Sequence, residues 1–212
     1  MYEEELSAFH ETGDTGEIWF GFESVERVVN WLEKSPLSTL TSDIIDLGCG
    51  NAAMLLELYK RGFRNLVGVD YCDAAITMAK ALAEKESAVI KFEQCDLLND
   101  TASTCSSLSY STYHMCIDKG TYDAISLMPN NAQLQRTCYI KTVHRILKEN
   151  GLLVITSCNW TEKELVHQFN NGFALLEKIP TPTFNFGGQT GNRETVLVFK
   201  KMDVKMTGSM SR

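Results

Sequence analysis

The chain has 212 residues, 44% of them hydrophobic and 22% charged, a composition that suits one globular domain with a sizeable core and excludes both a peptide scaffold and a disordered chain. Its 20 basic and 27 acidic residues leave a net charge of −7. Only Lys200-Lys201 concentrates positive charge, so nucleic-acid binding through phosphates is disfavoured and a basic partner is favoured. The longest apolar run, Ala52 to Leu56, has five residues, against the ~20 of a membrane-spanning helix.

The start, Met1-Tyr2-Glu3-Glu4-Glu5, has the wrong charge for a secretory leader. Seven cysteines form no close pair and the four histidines no HxxxH motif. No zinc site and no disulfide framework are expected, and the thiols read as reduced, as in the cytoplasm or nucleus. A monomer is the expected state.

In chain order, Val25, Val28, Val29 and Leu32 form one helix stripe that Pro36 ends. Asp43 to Leu47 reads as a strand, Ala52 to Arg61 as a helix stopped by Gly62, and Asn65 to Asp70 as a second strand. A helix follows from Asp73 to about Glu86, then a strand from Val89 to Gln94. Asn99 to Thr112, with eight Ser/Thr, reads as a surface loop. Tyr113 to Asp118 is a fourth strand; Tyr139, Val143, Ile146 and Leu147 mark a helix stopped by Gly151; Leu152 to Ser157 is a fifth strand. Thr161-x-x-Glu164 is a capping box for a helix burying Leu165, Val166 and Phe169. Phe173 to Ile179 and Glu194 to Lys200 are two last strands joined through a turn region at Gly187 to Asn192. The alternation predicts an α/β fold, doubly wound, with a mostly parallel seven-stranded sheet and a closing antiparallel hairpin. Ligands then bind at the carboxyl ends of the strands.

Those ends carry a series of acids. Asp46-Leu47-Gly48-Cys49-Gly50-Asn51 joins the first strand to a helix, where glycines permit a tight turn and the helix start offers free N–H groups. Asp70, ending the next strand, can accept from the two hydroxyls of a ribose. Asp96, after the third strand, can accept from an adenine amino group while Leu97 offers its backbone N–H and an apolar contact. Gly48 to Ala53 also satisfies G-x-G-x-x-A, so a nicotinamide-dependent oxidoreductase is a rival reading; 212 residues leave no room for the separate substrate domain such an enzyme needs. A cofactor-binding module without catalysis is a third.

The set Asp46-x-Gly48-x-Gly50, Asp70 and Asp96-Leu97 resembles the seven-strand S-adenosylmethionine-dependent methyltransferases, over about residues 2 to 202. Four longer stretches, Gly13 to Gly21, Cys116 to Leu127, Thr156 to Thr161 and Phe184 to Gly188, are similar to the protein-lysine methyltransferases of eukaryotic elongation factor 1-alpha, the methyltransferase-like protein ten subgroup. The resemblance implies a class I, Rossmann-like methyltransferase domain over residues 1–202 with an N-terminal cofactor lid (about 1–38), followed by a polar tail (203–212). It implies S-adenosyl-L-methionine as cofactor, with Trp19 reaching over it and Gly48, Gly50 and their neighbours Asp46 and Asn51 around the methionine part. It further implies Asp70 and Tyr71 on the ribose and adenine edge, Asp96 and Leu97 on the adenine, and Asp118 and Lys119 beside the sulfonium. Relatives also carry a Trp-Asp pair upstream of Tyr2, which this sequence lacks.

Transfer to an amine needs alignment and a neutral nucleophile, not a metal. Asp118 is the candidate for orienting the amine, or else a cap of the turn before Thr121. Asn159 and Trp160 could supply an amide acceptor and an aromatic wall for a lysine stem, with Trp160 packing against Leu165 as the alternative. Tyr122 could line the lysine channel or simply pack. Asp118-Lys119-Gly120-Thr121 lacks the Asn/Asp-Pro-Pro-Tyr/Phe pattern of nucleic-acid amino-methylating enzymes, so the expected substrate is a basic protein, elongation factor 1-alpha, with another protein or a small-molecule amine as alternatives.

Overall fold

The structure is a computed structural model that describes residues 2–12, 14–99, 105–109, 113–186 and 189–203. Gly13, Gly187, Gly188, part of the Asn99 to Thr112 loop and the tail beyond Asp203 lie outside the described residues.

An N-terminal helix, α1 (Tyr2–Thr12), precedes α2 (Phe22–Lys34). There follow β1 (Ile44–Leu47), α3 (Ala53–Lys60), β2 (Leu66–Asp70), α4 (Asp73–Lys85) and β3 (Lys91–Gln94). After a short α5 (Ser106–Ser109) come β4 (Tyr113–Lys119), α6 (Thr121–Ser126), α7 (Ala132–Ile146), β5 (Leu147–Ser157) and α8 (Glu162–Phe169). β6 (Phe173–Ile179), β7 (Thr183–Phe186), β8 (Gln189–Asn192) and β9 (Thr195–Lys201) complete the chain.

The seven-stranded sheet has the order β3-β2-β1-β4-β5-β9-β6, and β9 runs antiparallel to both neighbours. The sheet reverses its winding between β1 and β4, whose carboxyl ends therefore open a crevice. Each face carries its own apolar layer. On one side the α2 stripe, Val25, Val28, Val29 and Leu32, is wholly buried with Leu55 and Leu58 of α3; each such side chain contributes about 1.5–3 kcal/mol relative to exposure. On the other, Tyr139 and Val143 of α7 and Leu165 and Phe169 of α8 pack on Ile45, Leu153 and Phe199.

The expected capping box forms: Thr161 Oγ1 accepts from Glu164 N, and Glu164 Oε2 accepts from Thr161 N. Other expectations need correction. α7 begins seven residues before Tyr139, the first of its expected apolar positions, and stops at Ile146 rather than at Gly151. Its C-terminus is set by sheet pairing, because Leu147 already pairs with Tyr113 across a bulge that precedes the Met115–Leu152 register. The turn region between the last two strands contains a two-stranded ribbon, β7-β8. The helices α1 and α6 had no clear sequence stripe. Cys95 and Cys105 form a disulfide, Cα–Cα 5.5 Å, where reduced thiols were expected; the ten-residue separation in sequence hid the proximity. Among the described residues, no helix is long and apolar enough to cross a membrane.

Candidate active site

A cavity of about 730 Å³ opens at the carboxyl ends of β1, β2, β3 and β4. Its wall includes Trp19, Gly48, Gly50, Asn51, Asp70, Tyr71, Asp96, Leu97 and Lys119, nine of the residues expected from sequence.

The glycine turn is tied to β2. Val69 O accepts from Gly48 N (2.7 Å) and Cys49 N (2.9 Å), and Asp70 Oδ2 accepts from Gly50 N (3.0 Å). Gly48 sits at φ 75°, and a Cβ there would overlap Thr121 Oγ1 of the β4–α6 junction. The residue is therefore required by the approach of another strand's loop, a closer constraint than the approach of a ligand. Asp70 Oδ1 also accepts from Cys72 N at 3.0 Å. Burial raises its pKa against these backbone hydrogen bonds. The carboxylate borders the cavity, where its remaining acceptor capacity can take a ribose hydroxyl.

Beyond Asp70 the wall is open. Tyr71 is 76% exposed, with its carbonyl accepting from Gln94 Nε2 at 2.9 Å, which leaves the ring free to lie against a base. Asp96 is exposed and uses Oδ1 to accept from Leu98 N (2.9 Å). Leu97 is buried, and its carbonyl accepts from Thr142 Oγ1 of α7 (3.1 Å).

The acids at the ends of β1 and β4 behave differently. Asp46 and Asp118 are buried and form no part of the cavity wall. Asp118 accepts from Thr121 N, from Tyr122 N and from the Tyr139 hydroxyl. Its carboxylate is the cap of α6, the second of the two roles open to it from sequence, because α6 begins at the β4 end and needs its first N–H groups satisfied. Burial pushes both Asp46 and Asp118 up to about 7.

Three further expected residues also stand off the cavity. Tyr122 is buried, donates to Gln168 Oε1 (2.5 Å) and packs against Tyr139 and Phe169. Asn159 is exposed; its N–H and that of Trp160 donate to Ser157 Oγ, which itself donates to Asp123 Oδ1. Trp160 donates from Nε1 to Ser126 Oγ (3.2 Å), and the Arg136 guanidinium lies 5.3 Å from its ring centroid. Asp123 thus rigidifies the post-β5 loop, and Trp160 packs beside Tyr122 outside the cavity wall.

The wall also contains residues the sequence reading missed, among them Thr121, Met128, Leu134, Gln135 and Cys138 from α6, α7 and their link. Among the described residues, Gln135 Oε1 is buried without a hydrogen-bond partner. Its spacing of three and seven residues from Cys138 and Thr142 is a helix-face signal, but the stripe is polar and so resembles a solvated face.

Residues 41–200 match a family profile described as a methyltransferase domain. The human protein EEF1A lysine methyltransferase 2 is 48% identical over 95% of this chain and 83% of its own length. This chain belongs to the protein-lysine methyltransferase family. Another family member, the Schizosaccharomyces pombe protein-lysine N-methyltransferase efm4, is 38% identical over 94% of this chain and 90% of its own. The magnesium protoporphyrin IX methyltransferase of Synechocystis, solved with bound SAM, shares the fold at a TM-score of 0.61 and 16% identity, over 95% of this chain and 97% of that one. Family membership displaces the oxidoreductase reading. The methyltransferase uses S-adenosylmethionine, and the wall chemistry fits that cofactor: an acidic acceptor at Asp70, an open aromatic at Tyr71, an acid and an apolar contact at Asp96-Leu97, and an unpartnered amide oxygen at Gln135.

Proposed function

We propose that the protein methylates a lysine of translation elongation factor 1-alpha. The observation that carries this reading is the cavity at the β1–β4 ends, lined by the glycine turn, Asp70 and Asp96-Leu97, in a chain whose relatives bear that substrate in their names. The net charge of −7 agrees with a basic target.

The cofactor supplies an electrophilic methyl group, and the chain supplies placement. Gly48 to Asn51 and Asp70 set the donor end, and Trp19 and Lys119 border the same space. A free lysine has a pKa about three units above cellular pH, so its neutral form costs ~4 kcal/mol. Asp118 and Tyr122 are buried outside the cavity wall and engaged in hydrogen bonds, so the chain acts by desolvation and alignment of the amine at the Lys119–Thr121 rim, not by proton removal through either side chain.

Purified elongation factor 1-alpha incubated with the protein and labelled cofactor should gain label, and mass spectrometry should place it on one lysine. Label confined to a small-molecule or RNA fraction of a lysate overturns the proposal.

A further inference from the structure

Residues 14–21 form a strap between α1 and α2 that passes over the cavity, contributing Glu17 and Trp19 to its wall. The strap lacks regular secondary structure and is half exposed, so what holds it down decides how the cavity closes.

Two ties come from the cavity wall itself. Asn51, at the end of the glycine turn, donates through Nδ2 to Thr15 O (3.0 Å) and Glu17 O (3.3 Å). Lys119, at the end of β4, donates through Nζ to Trp19 O (3.2 Å). The same ammonium lies 6.0 Å from the centroid of the Phe20 ring. Phe20 itself is held at φ 64°, a conformation that a bulky residue adopts only where its surroundings over-determine it. The surroundings include Gly120, at φ 90°, where a Cβ would come within 2.8 Å of Phe20 Cε2 and 3.4 Å of Trp19 Cε3. Lys119 and Gly120 thus form a seat, one residue supplying charge and the next supplying the absence of a side chain.

The cation has company beneath it. Asp46, Asp118 and Glu194 all act on the Lys119 ammonium, opposing the burial that favours its neutral form. This gives the two acids whose carboxylates do not reach the cavity a shared part: Asp118 caps α6, and both favour the charged form of a cation placed where it can grip a carbonyl.

We propose that Lys119 is a positioning residue whose ammonium fastens the N-terminal strap to the end of β4, and so sets the closure of the cavity over the cofactor. This rests on the methyltransferase reading of the cavity, but the strap can be followed without turnover.

The test is hydrogen exchange of the full chain by mass spectrometry, with and without S-adenosylhomocysteine, for wild type, Lys119→Met, Lys119→Arg and Asn51→Ala. In Lys119→Met, amides of residues 14–21 should exchange about tenfold faster while β1 and β4 stay protected, the change expected from losing one charge-assisted hydrogen bond. The KM for the donor should rise about tenfold. Lys119→Arg, which keeps a charged donor, should restore both. Asn51→Ala should release the strap from its other end. Strap exchange within twofold of wild type in Lys119→Met overturns the proposal. If that variant loses protection across the whole sheet, Lys119→Gln decides: loss confined to the strap supports the latch, and uniform loss or none overturns it. Failure of S-adenosylhomocysteine to bind wild type would instead count against the cofactor assignment and leave the strap readout intact.

Discussion

Two pairs of aspartates stand at four neighbouring strand ends and do opposite work. Asp70 and Asp96, ending β2 and following β3, belong to the wall of the cavity. Asp46 and Asp118, in β1 and β4, are turned into the protein beneath it. The difference follows from what each strand end leads to. β2 and β3 lie at the outer side of the sheet, where the wall is open to solvent around Tyr71 and Asp96. β1 and β4 flank the reversal of winding, where α6 begins at once and the glycine turn meets Thr121. The Asp118 carboxylate is taken up by Thr121 N, Tyr122 N and the Tyr139 hydroxyl, and Asp46 is shut away by burial. A strand-end acid is therefore a ligand candidate only where the cavity reaches it, as it reaches Asp70 although Gly50 N and Cys72 N already donate there.

That contrast is best broken at its buried side. Asp118→Ala leaves two backbone N–H groups and the Tyr139 hydroxyl unpaired, and should cost about 3 kcal/mol of stability, read from the urea midpoint. Asp96→Ala should leave the midpoint nearly unchanged and weaken S-adenosylhomocysteine about tenfold in calorimetry. Equal losses of stability in the two variants would erase the distinction between floor and wall.

A pH titration sharpens the same point. Asp46 and Asp118 are raised from 3.8 to about 7 in the folded state by burial. The fold then binds more protons than the unfolded chain between those values, so stability from these two groups falls as pH rises through that window and levels off above about 7. Glu93 has the opposite sign. Although burial opposes it, hydrogen bonds from Ser107 and Ser106 lower it from 4.5 to about 2, and its contribution is lost as pH falls across that range. Urea midpoints should therefore rise on going from pH 8 to pH 5.5, and Asp118→Asn should flatten that rise. A midpoint independent of pH in wild type would remove the buried acids from the account.

The smallest effect is expected beyond the far side of β4. Asn159 is exposed and outside the cavity wall, so Asn159→Ala should alter methyl transfer less than about twofold and stability by less than about 0.5 kcal/mol. A large drop in kcat with an unchanged melting temperature would return this residue to the lysine channel.

Much of this was legible from local patterns. The α2 stripe, the β1–glycine turn–α3 unit and the Thr161 box are each written within a few residues, because helix and strand periods and caps act over one or two turns. Six of the nine cavity residues, Gly48, Gly50, Asn51, Asp70, Asp96 and Leu97, belong to the same class of turn and strand-end positions, whereas Trp19, Tyr71 and Lys119 were implied by the family resemblance. The α7 wall was not legible, since a polar helix face lining a cavity and one facing water have the same sequence pattern.

The sequence by itself determined the alternation of β1 to β5 with the helices between them, the place of the crevice and the acids that line its open side. Only the tertiary structure decided that Asp118 caps α6, that Leu147 leaves a helix to pair with Tyr113, that Cys95 meets Cys105, and that Lys119 reaches back across the chain to Trp19. The physical reason is common to all four. A side chain's period tells which element it sits on, but which donors, charges or strands compete for it depends on segments distant in sequence, and those meet only when the sheet has closed.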